Sequence, residues 1–228
     1  MTEVEIETED VRIIADAEVS EQVSRHWFSP QWWLAKAAVE QQLGGRGQAL
    51  LIETAAGPLV LRRLQRGGLA ARVSNDRYLN LGFAHSRAVR EFRLLGQLQQ
   101  RGLPVPEPIA ASYEPVGLFY RAGLLTRLIP EARELAELAP DLSQEQWHDL
   151  AGTLEQFFSA GLQHPDLNAR NLLLDARGRW YLLDFDRARL IDGKVDSRFM
   201  RRRLARSLAK LCSPGWRAGF AAALGADS

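Results

Sequence analysis

The chain has 228 residues, enough to bury a substantial core but short for two independent domains. Its formal net charge of +1 gives no global attraction to nucleic acid, and its single cysteine, Cys212, rules out an intramolecular disulfide and suits a reducing compartment. No apolar run reaches the length of a membrane span and the acidic start Glu3 to Asp10 is unlike a signal peptide, so a cytoplasmic protein is expected, one still able to lie on a membrane surface.

In chain order, Glu3 to Asp10 reads as a short edge strand. Leu43-Gly44-Gly45-Arg46-Gly47-Gln48 then precedes the apolar run Ala49 to Ile52. Gly57-Pro58 separates that run from Leu59-Val60-Leu61-Arg62, which predicts a glycine loop opening a strand, a turn, and a second antiparallel strand. Glycines let backbone amides approach phosphate oxygens closely, so Gly45, Arg46 and Gly47 are candidate nucleotide contacts. The only lysines are Lys36, Lys194 and Lys210, so a phosphate clamp in this part of the chain must be built from arginine. Arg62 and Arg63 are adjacent candidates. Strand alternation puts Arg62 on the face of Val60 and Arg63 on the face of Leu61.

The stretch from Arg62 to Tyr78 interleaves Arg66, Arg72 and Arg77 with Leu69, Val73 and Leu79 just beyond. It is either a segment touching anionic headgroups and acyl chains or a solvated connecting loop. Ser86 to Gln100 predicts a helix with Ser86 as N-cap and Gly102 as its stop; Val89, Phe92, Leu95 and Leu98 or Gln99 form its apolar face. Glu91 lies there among Arg87, Arg90 and Arg93. The prolines of Leu103-Pro104-Val105-Pro106-Glu107-Pro108 enforce a stiff extended link. Strands are expected over Ala110 to Tyr113 and Phe119 to Leu125. Thr126 to Pro130, including Arg127, would form a hinge whose backbone meets the base of a nucleotide. Ser143 with Gln146 makes a capping box for a helix whose apolar face is Trp147, Leu150, Ala151, Leu154 and Phe157, ended by Gly161.

The chemistry concentrates next. Asp166 precedes Asn171 by five residues and Asp184 by eighteen, within His164-Pro165-Asp166-Leu167-Asn168-Ala169-Arg170-Asn171 and Leu182-Leu183-Asp184-Phe185-Asp186. Leu172 to Leu183 reads as a hairpin turning near Gly178, which returns Asp184 to the side of Asn171. Such a cluster supplies oxygen ligands for Mg²⁺ or Mn²⁺ and a carboxylate, Asp166, to take a hydroxyl proton. His164 reads as a packed structural residue. Asp186 is followed by 42 residues, in which no peptide-binding platform is visible, so a small or lipid-linked hydroxyl acceptor is favoured over a polypeptide. Arg198, Arg201, Arg202, Arg203 and Arg206 share a final helix with Phe199, Leu204, Leu208 and Leu211. Its apolar face would pack on the core while its basic face remains available to anionic lipid.

His164, Asp166, Leu167 and Asn171, then Asp184 and Phe185, resemble the protein-kinase pattern H-R-D-L-x-x-x-N followed by D-F-G, with Pro165 for the Arg and Asp186 for the Gly. The resemblance implies an α+β, trimmed bilobal protein-kinase-like fold, with an N-lobe at 1–127 and a C-lobe at 128–228. It assigns Asp166 as catalytic base, Asn171 and Asp184 as metal ligands, and Arg62 as the stand-in for the strand lysine, paired with Glu91. Asn168 occupies a position where a lysine is common, leaving another donor, such as Arg170, to meet transition-state charge. The order Gly45-Arg46-Gly47, Val60-Leu61-Arg62, Arg66-Gly67-Gly68-Leu69, Asp76-Arg77-Tyr78, Gly102 to Pro106, Gly117 to Ala122, and His164 to Asn171 is more specific. It resembles the 3-deoxy-D-manno-octulosonic acid (Kdo) kinases of Gram-negative bacteria over roughly residues 40 to 211. That resemblance implies ATP-dependent phosphorylation of the 4-hydroxyl of Kdo on a lipid A precursor. It further implies peripheral placement on the cytoplasmic face of the inner membrane, with no nucleic-acid partner and no obligate protein partner. The absent lysine keeps a nucleotide-binding module without turnover, or an atypical kinase, as the alternative.

Overall fold

The computed structural model describes residues 2–36, 39–43, 49–64 and 78–225. They gather into two compact units, Met1–Gln97 with Glu107–Leu128, and Leu98–Pro106 with Ile129–Ser228. The first unit contains β1 (Glu3–Glu7), β2 (Arg12–Asp16), α1 (Pro30–Ala35), β3 (Val39–Leu43), β4 (Ala49–Thr54), β5 (Gly57–Arg63), β6 (Tyr78–Leu79), most of α2 (Arg87–Gln100), β7 (Pro108–Val116) and β8 (Phe119–Arg127). Its strands form one antiparallel sheet in the order β1-β2-β7-β8-β5-β4-β3, with β6 added to β8.

Alternation along β5 divides this sheet into two environments. Leu59 and Leu61 are fully buried in a core with Ile13, Ile52, Ile109 and Leu125, capped by Trp27 and Trp33. The capping segment is locally specified. Ser29 Oγ accepts the Trp32 amide at 3.3 Å, Pro30 occupies the first turn of α1, and Trp33 Nε1 donates to the Trp27 carbonyl at 2.8 Å. Arg62, on the other face, reaches Glu91 of α2. Ser86 Oγ accepts the Val89 amide at 3.4 Å at the start of that helix, and Val89, Phe92, Leu95 and Leu98 are its buried stripe.

The second unit is assembled from β9 (Arg133–Glu134), α3 (Leu135–Leu138), α4 (Gln144–Ser159), β10 (Leu162–Gln163), β11 (Leu172–Leu174), β12 (Trp180–Leu182), β13 (Arg189–Leu190), α5 (Ser197–Leu211) and α6 (Trp216–Leu224). The expected capping box closes α4, with Ser143 Oγ accepting the Gln146 amide and Gln146 Oε1 accepting the Ser143 amide. Gly161 stops α4 at a φ of +84°; a β-carbon there would lie 2.6 Å from the Ile191 carbonyl oxygen, so the tight crossing requires glycine. Short sheets β12-β11-β9 and β10-β13 frame the loop between β10 and β11. Residues 98–106, placed in the first lobe by sequence, gather with this unit. The Leu182 amide donates to the Pro104 carbonyl at 3.1 Å, and Arg101 Nη1 to the Ala160 carbonyl at 2.9 Å.

Together these elements make an α+β, trimmed kinase-like fold. Four further features depart from the sequence reading. β8 runs through Arg127, so Thr126 and Arg127 are strand residues and not hinge. The segment β2 to α1 adds an unforeseen tryptophan-capped layer. β3 precedes the glycine-rich stretch, and α6 follows the basic helix.

Candidate active site

The loop between β10 and β11, which carries Asp166 and Asn171, is held by its own side chains. The Asp166 carbonyl accepts Asn168 Nδ2 at 2.8 Å and Asn171 Nδ2 at 3.2 Å, while Asn168 Oδ1 accepts the Arg170 amide at 2.9 Å. Asn168 is thus spent at both ends on loop geometry. From α5, Ser207 Oγ accepts the amide of fully buried Ala169 at 3.1 Å. The hairpin β11–β12 pairs Leu172 with Leu182, and the Leu183 amide donates to the Asn171 carbonyl at 2.8 Å. This bond brings Asp184 next in line to Asn171, and Asp184 takes a left-handed backbone with φ of +62°. Non-glycine residues adopt that region rarely, and strain of this kind gathers at functional sites.

Beneath the loop, His164 is buried. Its Nε2 hydrogen-bonds the Leu183 carbonyl at 3.1 Å, and its ring stands edge-on to Phe185 with centroids 5.4 Å apart. Burial holds its pKa below the ordinary histidine value against the opposing pull of the Leu183 carbonyl and of Asp184. A neutral, packed imidazole that links the start of the loop to the end of the hairpin fits the structural part read from sequence.

Two arginines converge on Asp166: Arg187, which the sequence reading does not single out, and Arg203, which it places on the basic face of the final helix rather than at the loop. Arg203 Nη2 of α5 donates to Oδ1, and Arg187 Nη1 stands 3.8 Å from Oδ2. Arg203 and Ser207 are four apart and share one face of α5, and packing turns that face to the loop. Arg170 is exposed, and its charge opposes the upward shift that burial imposes on the Glu134 carboxyl.

In the first unit Arg62 and Glu91 form an ion pair, with side chains 24% and 2% exposed. Arg63 points the other way, lining a cavity of about 390 Å³ with Arg25, Phe28, Ser112 and Arg121. Arg127 is already engaged: its Nε donates to Glu107 at 2.7 Å, which raises its pKa above the usual arginine value, and its backbone amide donates to the Glu107 carbonyl at 2.9 Å. Gly45, Arg46 and Gly47 lie between β3 and β4, outside the described residues, as do Arg66, Arg72 and Arg77.

Asn171 and Asp184 fit a hard cation. With Asn171 Nδ2 donating to the Asp166 carbonyl, the amide oxygen is the atom Asn171 could offer a cation. Among the described residues no group of three or more His, Cys, Asp or Glu could hold a metal. A two-oxygen site suits an ion that keeps water and shares substrate phosphates, as Mg²⁺ does.

The model of the lipopolysaccharide kinase (Kdo/WaaP) family matches residues 30–218. The chain belongs to this family. Curated relatives include proteins named 3-deoxy-D-manno-octulosonic acid kinase. That of Xanthomonas oryzae pv. oryzae (strain PXO99A) is 44% identical over 202 residues, covering 87% of this chain and 80% of the relative. That of Xanthomonas campestris pv. campestris (strain B100) is 44% identical over 176 residues, covering 77% and 70%. That of Stenotrophomonas maltophilia (strain R551-3) is 42% identical over 201 residues, covering 87% and 80%. Family membership makes the chain a phosphotransferase that uses ATP. Among the described residues no helix is long and apolar enough to cross a membrane.

Proposed function

We propose that this chain transfers the γ-phosphoryl group of ATP to the 4-hydroxyl of Kdo on a Kdo–lipid A precursor, in lipopolysaccharide inner-core synthesis. The observation that supports the reading is the pair of hydrogen bonds by which Asn171 Nδ2 donates to the Asp166 carbonyl and the Asn171 carbonyl accepts the Leu183 amide, tying the loop that carries Asp166 and Asn171 to the hairpin end that precedes Asp184. Asp166 orients the acceptor hydroxyl and takes its proton as the hydroxyl oxygen bonds to phosphorus and the bond to the departing ADP oxygen breaks. Arg62, fixed by Glu91, keeps a permanent charge and a planar fork for the nucleotide phosphates. Gly45, Arg46 and Gly47 contribute to the same binding, with the backbone near Arg127 close to the base. Mg²⁺ or Mn²⁺ held by Asn171 and Asp184 would neutralise charge on the phosphates.

The acceptor is lipid-borne, and α5 offers a matching surface. Arg198, Arg202 and Arg206 are exposed on it beside Phe199, itself 49% exposed. We assign this face to peripheral contact with the anionic cytoplasmic leaflet of the inner membrane. Arg66, Arg72, Arg77 and Arg170 are assigned to the acceptor. The test is a radiolabelled ATP assay with Kdo–lipid A precursor and a protein substrate in parallel. Transfer to the glycolipid alone is expected. Transfer to protein alone, or nucleotide binding with no transfer, would overturn the reading.

A further inference from the structure

The two arginines on Asp166 are held differently. Arg203 makes a hydrogen bond to Oδ1 from a helix that also anchors the loop through Ser207. Arg187 lies 3.8 Å from Oδ2, beyond the ~3.2 Å of a hydrogen bond, and its side chain is 66% exposed against 29% for Asp166. An exposed ion pair of this kind is worth little and is readily exchanged for another anion. The backbone of Arg187 is nevertheless fixed. It sits in a turn closed by the Ala188 amide on the Phe185 carbonyl at 3.0 Å, between buried Phe185 and strand β13. A long cationic side chain thus projects from a rigid base beside the atom that receives the acceptor's proton. Asn168, committed at both ends to the loop, supplies no charge there.

The acceptor brings an anion to the same place. In an octulosonic acid the hydroxyl and the carboxylate belong to one small sugar, so a hydroxyl seated on Asp166 carries its carboxylate within reach of a neighbouring guanidinium. Carboxylate and guanidinium pair bidentately through two parallel hydrogen bonds, a stronger contact than the long one Arg187 now makes. We propose that Arg187 exchanges Asp166 Oδ2 for the carboxylate of the acceptor sugar. This releases Oδ2 to the acceptor hydroxyl, while Arg203, a positioning residue, keeps Oδ1 and the side-chain rotamer fixed. Arg187 thereby makes the enzyme select a sugar acid. The inference rests on the reading of Asp166 as base and deepens it.

Steady-state kinetics with the lipid-linked acid and with its carboxyl methyl ester provide the test. The wild-type enzyme is expected to favour the acid by about tenfold to a hundredfold in kcat/KM, the range for a charge-assisted contact. Most of that preference should appear in acceptor KM. In Arg187→Ala the preference should collapse toward one because kcat/KM for the acid falls to that for the ester, chiefly through a raised acceptor KM, and Arg187→Lys should recover part of it. Equal losses with acid and ester, or an unchanged preference, would overturn the proposal. Asp166→Asn keeps the two failures apart: substantial turnover in that variant refutes the base and leaves the acid-to-ester ratio of Arg187→Ala as an independent result.

Discussion

Arg62 and Glu91 form a largely buried ion pair whose proposed place in the nucleotide clamp can be separated from its part in stability. Glu91 is almost fully buried, so removing its carboxylate leaves a largely desolvated guanidinium. Glu91→Ala is expected to cost about 3–5 kcal/mol in urea unfolding and to raise the KM for ATP more than that for the acceptor. A change confined to stability would remove Arg62 from the nucleotide clamp. His164 makes a pH-dependent contribution. Its folded pKa is depressed by burial, so below about pH 6.5 the unfolded chain takes up a proton that the folded chain refuses, and stability falls with falling pH. His164→Gln should flatten that fall between pH 7 and 5.5 by up to ~1.4 kcal/mol per pH unit. Parallel profiles would contradict a neutral buried imidazole. The face of Arg62 was readable from strand alternation, and its pairing with Glu91 from the kinase resemblance. Arg187 and Arg203 were not, because their meeting with Asp166 spans 21 and 37 residues and is set by the packing of α5 and the turn after Phe185.

Among the elements, those written in local signals were legible. α4 announced itself through Ser143 and Gln146, and the β11–β12 hairpin through Gly178, whose φ of +80° its turn requires. β3 was hidden because Val39-Glu40-Gln41-Gln42-Leu43 has weak alternation and is a strand through pairing with β4. α6 was hidden by Gly219, a poor helix former, whose place is explained by tertiary packing. A β-carbon there would come within 2.2 Å of Trp147 Cδ1 on α4. α5 is the element whose packing role most exceeds its sequence signal, since Ser207 satisfies the buried Ala169 amide of the loop that carries Asp166. Ser207→Ala should destabilise the protein by about 1–3 kcal/mol and lower kcat while sparing ATP binding. Thermal unfolding and nucleotide titration would check both, and an unchanged kcat would deny α5 a part in holding the loop.

For the whole molecule, a nearly neutral chain places its basic charge locally, on α5 and in the stretch 62–77. Arg198, Arg202 and Arg206 together changed to Gln should weaken sedimentation with anionic vesicles by roughly 1 kcal/mol per residue and leave binding to neutral vesicles unaltered. Equal binding to both vesicle types by the wild type would argue against an electrostatic membrane face. The family and the trimmed kinase-like fold were legible from the order of short motifs, whereas the tryptophan-capped layer emerged only from packing. The most direct measurement is transfer of radiolabelled phosphate from ATP to Kdo–lipid A precursor by the wild type and by Asp166→Ala, with nucleotide binding followed in both. Transfer by the wild type, its loss in the variant and retained nucleotide binding are expected; turnover that survives in Asp166→Ala would contradict the assignment of the base.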